Sequence, residues 1–323
     1  MEDGPSGLRF AVIGVGPVGS ILAGHLEQAG EDVRIVDILR NHVDTIREQG
    51  LHIGGMLDMT VKIPKTSYNI TDLAEHEVDV IFVCVKASFL GIIIEELKKV
   101  YKPGTKVISY QNGLDNEVRL AEAFGSRNTL RVVINYAGNF IADGKVTMNF
   151  FHKPNYIGVL TEDNVEFSHK IAGVLTRSGL DTEYTPDIRT HVWEKVILNS
   201  ALAPISALTG MTMKEVTTFD DTIEMMKELL YEGIAVAEAD GCSFDEGFFD
   251  HCVWYLSQAG HHKPSMLIDV ENRSPTEIDY LNGGIVRHGA EKGIAVPVNQ
   301  SITQLIRALD LQNKRAKEAE RQG

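Results

Sequence analysis

The stretch Phe10-Ala11-Val12-Ile13-Gly14-Val15-Gly16-Pro17-Val18-Gly19-Ser20 constrains this chain more than any other. A strand-like apolar run ends in three glycines spaced G-x-G-x-x-G, and Ile21-Leu22-Ala23-Gly24-His25-Leu26 follows at helical spacing. Each glycine answers a separate steric demand. Gly14 permits a tight turn out of the strand, Gly16 a close approach of backbone to a pyrophosphate, and Gly19 close packing of helix on strand. The N–H groups and positive dipole end of the helix then face the phosphates. On this reading Gly14, Val15, Gly16, Pro17, Val18 and Gly19 form a dinucleotide-binding loop. The motif alone is weak; its context strengthens it. A second apolar run, Val33-Arg34-Ile35-Val36, ends in Asp37, about 20 residues past the glycines, where an acid holds a ribose hydroxyl.

The pattern continues as strand and helix in alternation. A helix is expected over 40–49, ended by Gly50, then a hairpin over 51–63 with Gly54-Gly55 near its bend. Asp79-Val80-Ile81-Phe82-Val83-Cys84-Val85 is nearly continuous in apolar residues, as a parallel strand covered on both faces must be, and Lys86 follows at its end. Helix 89–100, the turn Pro103-Gly104, strand 106–110, the loop Gln111-Asn112-Gly113 and helix 115–124 complete the alternation. Such chains build parallel sheets with right-handed crossovers. They bind ligands beyond the carboxyl ends of the strands, where Gly14, Lys86 and Asn112 fall. Residues 130–160 read as strands closing the sheet edge with antiparallel members, followed by helix 165–178 and strand 181–184. Thr185-Pro186-Asp187 marks a boundary. Beyond it helices are expected over 188–209, kinked at Pro204, and over 222–240, 248–258, 274–293 and 300–322. The expected architecture is α/β: a Rossmann-type parallel-sheet domain over 1–185, then an all-helical domain over 186–323 that serves substrate binding and dimerisation.

Composition narrows the partners. A formal net charge of -14 over 323 residues argues against nucleic acid and anionic membranes, which need a basic face. No apolar run approaches the roughly 20 residues of a membrane helix. Residues 1–7 are short, polar and acidic, with no leader pattern, and are expected to fray. Cys84, Cys242 and Cys252 are odd in number and lack metal-ligand spacing. Cys84 is expected as a buried free thiol, and the cysteine usage suits a reducing cytoplasm. The eleven histidines form no H-x-x-x-H or H-E-x-x-H pattern, so no metal site is expected.

The helical half carries three further stretches: His191-Val192-Trp193-Glu194-Lys195-Val196-Ile197-Leu198-Asn199, Pro264-Ser265-Met266-Leu267-Ile268-Asp269, and Thr276-Glu277-Ile278-Asp279-Tyr280-Leu281-Asn282-Gly283-Gly284. Lys195 and Asn199, four apart, share a helix face. A lysine on a packed helix is costly to bury without a task or partner. Plainer readings stand beside these. Thr276 suits a helix cap, with Glu277 and Asp279 at the positive end; Ser265 suits a cap after Pro264, Asn112 a turn before Gly113, and Lys86 a surface lysine.

These stretches, with Val83-Cys84-Val85-Lys86-Ala87, Gln111-Asn112-Gly113, and Pro204 followed by Ala207-Leu208-Thr209-Gly210, come in an order and combination that resembles the ketopantoate reductase (2-dehydropantoate 2-reductase) family over essentially the whole chain. The resemblance implies a nicotinamide-dependent 2-oxo-acid reductase. By position, Lys195 is then the general acid and Glu277 its partner in the same hydrogen-bonded site. Ser265 binds the substrate carboxylate, Asn112 and Asn199 position substrate and nicotinamide, and Lys86 lines the cofactor side. The chain also departs from the family. Ala203 stands where another asparagine is common, Met213-Lys214 where asparagine and glycine often occur, and His262 where asparagine precedes the serine. Losing these polar groups suits a less polar acyl group and a D-2-hydroxy-acid dehydrogenase activity. Where NADPH users carry a basic residue, this chain has Asp37, which accepts from ribose hydroxyls and repels a 2′-phosphate. NAD(H) is favoured, and NADP(H) stays open through Arg40. The alternatives are an authentic NADPH-dependent 2-dehydropantoate 2-reductase of pantothenate synthesis and a catalytically silent dinucleotide sensor. A cytoplasmic homodimer acting on a small molecule is expected.

Overall fold

The computed structural model describes residues 4–322, without the side chains of 321 and 322. Of the segment expected to fray, residues 1–3 lie outside the described residues. Chain contacts divide the protein into two compact units. One holds the residues up to Gln111 together with Asn116–Ile188; the other holds Asn112–Asp115 and the residues from Arg189 onward.

The first unit begins β1 (Arg9–Ile13), α1 (Pro17–Gln28), β2 (Asp32–Val36), α2 (Arg40–Gln49), β3 (Leu51–Gly55), β4 (Met59–Val61), β5 (Lys65–Ser67) and β6 (Val80–Val83). It continues α3 (Leu90–Lys98), β7 (Lys106–Ser109), α4 (Asn116–Phe124), β8 (Thr129–Val133), β9 (Tyr136–Ala142), β10 (Lys145–Phe151), β11 (Asn155–Val159), α5 (Val165–Arg177) and β12 (Thr182–Tyr184). The main sheet runs β12-β11-β8-β7-β6-β1-β2-β5. It is parallel from β5 through β8. Its central strands alternate side chains into two cores. Phe10, Val12, Val80, Phe82 and Ile108 enter one; Ala11, Ile13, Ile81, Val83 and Val107 enter the other. Burial on both faces is why β6 reads as an unbroken apolar run.

The expected edge strands divide between two sheets. β11 joins β8 antiparallel and β12 joins β11. β9 and β10, however, leave for a separate four-stranded sheet, β4-β3-β10-β9, that also takes in the 51–63 hairpin. The reason is hydrophobic cover. Leu51, Ile53, Val146 and Met148 from this sheet share one core with Ile21, Leu22 and Leu26 of α1, a face the main sheet alone does not close.

The second unit is helical: α6 (Ile188–Thr209), α7 (Met213–Val216), α8 (Asp220–Ala239), α9 (Phe248–Ser257), α10 (Ser265–Glu271), α11 (Asn282–Lys292) and α12 (Pro297–Gln322). Its buried side chains include Trp193, Ile197, Leu230, Val236, Ile285 and Ile306. The helix expected over 274–293 is interrupted. One 3-10 turn over Ile278–Tyr280 gives way at Leu281, whose φ -102 and ψ -104 are not helical, before α11 begins. That break turns Asn282 inward, where it is fully buried. Among the described residues no helix is long and apolar enough to cross a membrane, and no group of three His, Cys, Asp or Glu side chains could hold a metal ion.

Candidate active site

The residues expected to meet a cofactor, Asn112 excepted, are assembled within the first unit, near the carboxyl ends of its parallel strands. Gly14 has φ +87, and a Cβ there would lie 2.6 Å from Val85 Cγ1 and 2.9 Å from Val85 N. A Cβ on Gly19 would meet the Gly14 carbonyl oxygen at 1.9 Å. Only glycine fits either place. Gly16 differs: a Cβ there meets nothing within 4 Å. Among the described residues none crowds position 16, which leaves the backbone open to a ligand approaching from outside. Gly16 is the N-cap of α1, without a side-chain cap, and Pro17 opens the helix. First-turn N–H groups have no partner inside their own helix, and Pro17 suits the first position because its missing N–H costs nothing there.

Asp37 is more than an acid at the end of β2. Its Oδ2 accepts from Val15 N at 2.8 Å and its Oδ1 from Leu39 N at 2.9 Å. The carboxylate is therefore pinned to the glycine loop, with lone pairs left for further donors. Arg40 is exposed, and its guanidinium stacks 4.5 Å over the Tyr68 ring. Lys86 is half-buried just past β6, and its carbonyl accepts from Phe89 N at 2.9 Å. Gln111 Nε2 donates to Val85 O at 2.7 Å, joining the ends of β6 and β7. Cys84, just past β6, is a free thiol, half-buried rather than fully buried and packed against the core, and desolvation pushes the thiol well up.

One residue that bonds this loop escaped the sequence reading. His42, fully buried on α2, donates from Nε2 to Val15 O at 2.9 Å and accepts at Nδ1 from Gly144 N at 2.9 Å. Burial pushes its pKa down, so the ring is neutral with the hydrogen on Nε2. The only sequence signal was a histidine on the apolar face of a predicted helix.

The residues expected to meet the substrate lie mostly in the second unit. Lys195 and Asn199 are half-buried, one turn apart on α6. Glu277, also half-buried, caps the 3-10 turn, and its carbonyl accepts from Tyr280 N at 3.0 Å. Thr276 and Asp279 on either side engage α12: Thr276 Oγ1 donates to Asp310 Oδ2 at 2.7 Å, and Arg307 Nε donates to Asp279 at 2.6 Å. Asn112, half-buried, belongs to this unit. Two residues on, Leu114 N donates to Tyr280 O at 2.9 Å, which ties the Asn112 loop to the Glu277 turn. Ser265 is exposed at the first turn of α10, which packs on α12; Pro264, not Ser265, holds the cap position.

Pro204 explains how the Glu277 segment reaches α6. Proline has no N–H, so the carbonyl four residues earlier, at Ser200, loses its helical donor. Asn282 Nδ2 donates to that carbonyl at 2.9 Å, and to Asn299 Oδ1 at 3.0 Å. Asn299 is held in turn by Glu232, whose carboxylate accepts from Val298 N, Asn299 N and Asn299 Nδ2 at 2.8–2.9 Å. A polar thread thus fastens the turn bearing Glu277 beside the helix bearing Lys195 and Asn199. Asn282→Ala leaves buried groups without partners and is expected to lower stability by about 3 kcal/mol in a denaturant titration. Pro204→Ala returns a donor to Ser200, so the Asn282→Ala loss should shrink in that background; an unchanged loss would refute the link.

The structure therefore collects Asn112, Lys195, Asn199 and Glu277 on linked elements of the second unit, and Gly14–Gly19, Asp37, Arg40 and Lys86 on the first. Residues 10–162 match the family model described as ketopantoate reductase PanE/ApbA, and residues 187–310 match its C-terminal model. A 2-dehydropantoate 2-reductase from Pyrococcus abyssi is 30% identical over 93% of this chain and 97% of its own. The crystal structure of 2-dehydropantoate 2-reductase from Geobacter metallireducens is 26% identical with a TM-score of 0.86, covering 94% of this chain and 99% of that one. A D-mandelate dehydrogenase solved with NADH and anilino(oxo)acetate shares the fold at 24% identity and a TM-score of 0.85, over 95% of this chain and 100% of its own. With both family models matched in order and a full-length relative at this identity, the chain belongs to the ketopantoate reductase family.

Proposed function

We propose that this chain catalyses reversible hydride transfer between a nicotinamide dinucleotide and a small 2-oxo acid, with NAD(H) favoured. The observation that carries the reading is the linkage of Lys195, Asn199, Glu277 and Asn112 onto neighbouring elements of one unit, in a chain whose other unit bears the glycine loop. The open space at Gly16 and the pinned Asp37 carboxylate fit a dinucleotide. When bound, that group supplies a hydride to the carbonyl carbon. Lys195 does the complementary work: its ammonium polarises the carbonyl oxygen and gives it a proton as negative charge develops. Glu277 takes part in the same hydrogen-bonded site and orients the substrate or Lys195. Asn112 and Asn199 position the reacting groups, Ser265 receives the substrate carboxylate, and Lys86 lines the cofactor side.

Asp37 supports the cofactor preference. A carboxylate about 4 Å from a 2′-phosphate is repelled by about 1 to 4 kcal/mol per unit charge, which for a phosphate of about −1.5 to −2 is tenfold or more in binding. Following the absorbance of NADH and NADPH separately, we expect kcat/KM to be at least tenfold higher with NADH. Asp37→Ser should narrow the ratio, and a wild-type preference for NADPH would retire the argument.

For the substrate, what supports a less polar acyl group is the chemistry at the departing positions. Ala203 is buried, and Lys214 turns its Nζ to Ser257 O at 3.4 Å, while Met213 N donates to His262 O at 3.0 Å. A panel of 2-oxoisovalerate, 2-oxo-4-methylpentanoate, phenylglyoxylate and 2-dehydropantoate decides the question; fastest turnover of the last favours the pantoate reading, which the Pyrococcus relative's name supports. The reading includes a cytoplasmic homodimer. Its supports are cysteines without disulfides and exposed apolar side chains such as Tyr231 and Trp254 on the helical unit.

A further inference from the structure

His288 on α11 has a carboxylate at each ring nitrogen. Its Nε2 lies 3.0 and 3.1 Å from the two oxygens of Asp115, and its Nδ1 lies 3.3 Å from Asp240 Oδ2. Asp115 takes the Nε2 hydrogen bond, whereas the Nδ1–Asp240 approach is a charge contact without hydrogen-bond geometry, attractive to the imidazolium and not to the neutral ring. Asp115 ends the Asn112–Asp115 loop and adopts φ +65, a left-handed conformation uncommon outside glycine. The loop is held from several sides. Asp115 also pairs with Arg287 at 2.8 Å, Leu114 N donates to Tyr280 O, and a Cβ on Gly113 would press into Tyr280 at 2.7 Å.

Asp240, at the end of α8, leads to the helix bearing Lys195. It is 6% exposed and accepts from Trp193 Nε1 at 3.2 Å. It also pairs with Arg189 and, at 3.2 Å, with Lys292. The Trp193 ring stands edge-on to His288, 5.2 Å between centroids at 81°. Trp193 is 1% exposed and lies two residues, about 200° of helix, from Lys195. Seating Trp193 therefore sets the rotation of α6 and the direction in which Lys195 projects.

We propose that His288 is a positioning residue of the reductase reaction: as an imidazolium between Asp115 and Asp240, it holds the Asn112 loop and the Lys195 helix in one arrangement. The roles of Asn112 and Lys195 rest on the function proposed above; the clamp itself does not. The charged groups facing His288 are Asp115 from the loop, Asp240 from α8, Arg189 from α6, and Arg287, Glu291 and Lys292 from α11. The hydrogen bond to Asp115 holds the imidazolium above its ordinary range, against desolvation, with Asp115, Asp240 and Glu291 adding attraction. Burial pushes the Asp115 and Asp240 carboxyls up, but the cations bonded to each outweigh it and hold both below the usual range. The sign follows. His288 is raised, so the clamp is complete below the unfolded histidine pKa and is lost as pH rises through the higher folded value.

Two readouts test this. At one fixed pH, hydrogen exchange of the Leu114 amide should be at least tenfold faster in His288→Ala than in wild type, with the buried amides of α12 unchanged; an equal Leu114 rate overturns the clamp. His288→Gln, which keeps a donor but does not titrate, should give an intermediate rate and serves if the alanine variant fails to fold. In turnover, His288→Ala should lower kcat about tenfold or more, with the NADH dissociation constant within twofold of wild type. The wild-type kcat should also fall as pH rises through the His288 pKa, a limb that His288→Gln lacks. Equal pH profiles in wild type and His288→Gln overturn the positioning role. If wild type turns over no 2-oxo acid, the proposed function fails while the exchange experiment still decides the clamp.

Discussion

Lys195→Ala should lower kcat for 2-oxo-acid reduction by two to four orders of magnitude while leaving the NADH dissociation constant nearly intact. The size follows from the work assigned to the ammonium. A positioned general acid contributes about 10²–10⁴-fold, because without it the developing alkoxide must be protonated by water and faces no fixed positive charge. The split between kcat and cofactor binding follows from placement. Lys195 lies on α6 in the second unit, whereas the glycine loop and Asp37 are built wholly within the first. Single-turnover reduction followed at the NADH absorbance, beside a fluorescence titration of NADH, separates the two quantities. An unimpaired variant would show that Lys195 is not the acid. A wild-type protein that binds NADH yet reduces nothing would favour the silent sensor instead.

The glycine loop makes the second large prediction, and its force lies in the contrast between two glycines three residues apart. Gly19→Ala places a methyl 1.9 Å from the Gly14 carbonyl oxygen, with Cys84 Cβ at 3.1 Å behind it. No side-chain rotation relieves a clash with backbone, so helix and strand must separate. Overpacking of this kind costs about 3 kcal/mol or more, and NADH binding should be lost with it. Gly16→Ala should do the opposite to the fold. Gly16 has φ -61, open to any residue, and its Cβ would meet nothing within 4 Å. Removing glycine flexibility from the unfolded chain favours folding by about 0.4–1 kcal/mol, so the ligand-free Tm should hold or rise slightly. The added methyl nevertheless stands where a pyrophosphate must approach, and the NADH dissociation constant should rise at least tenfold. Melting curves without ligand and NADH titrations on both variants check this. A Gly16→Ala protein that binds NADH like wild type would remove the phosphate-loop interpretation.

How much of this was written in the chain order depends on how far apart the interacting residues lie. Local signals were legible. The glycine spacing, the run from Val80 to Val83, the acid at Asp37 and the helix holding Pro204 each report a conformation decided by neighbours in sequence, so period and turn chemistry sufficed. The same holds for Lys195 and Asn199, which share a face by helix geometry alone.

Tertiary structure decided the rest, because a polar side chain does not announce a distant partner. Asn282 bonds a carbonyl 82 residues away, and His288 reaches Asp115 across 173. In sequence each was one more polar residue on a predicted helix. The departure of β9 and β10 into a second sheet was equally hidden: alternation marks a strand but does not say which strand will pair with it, and the apolar flank of α1 that this sheet covers settled that. The chain order by itself therefore determined which elements form and which chemistry they carry. Only the fold decided which buried donors and acceptors meet, because an unpaired polar group in a core is expensive and its remedy is found in space rather than along the chain.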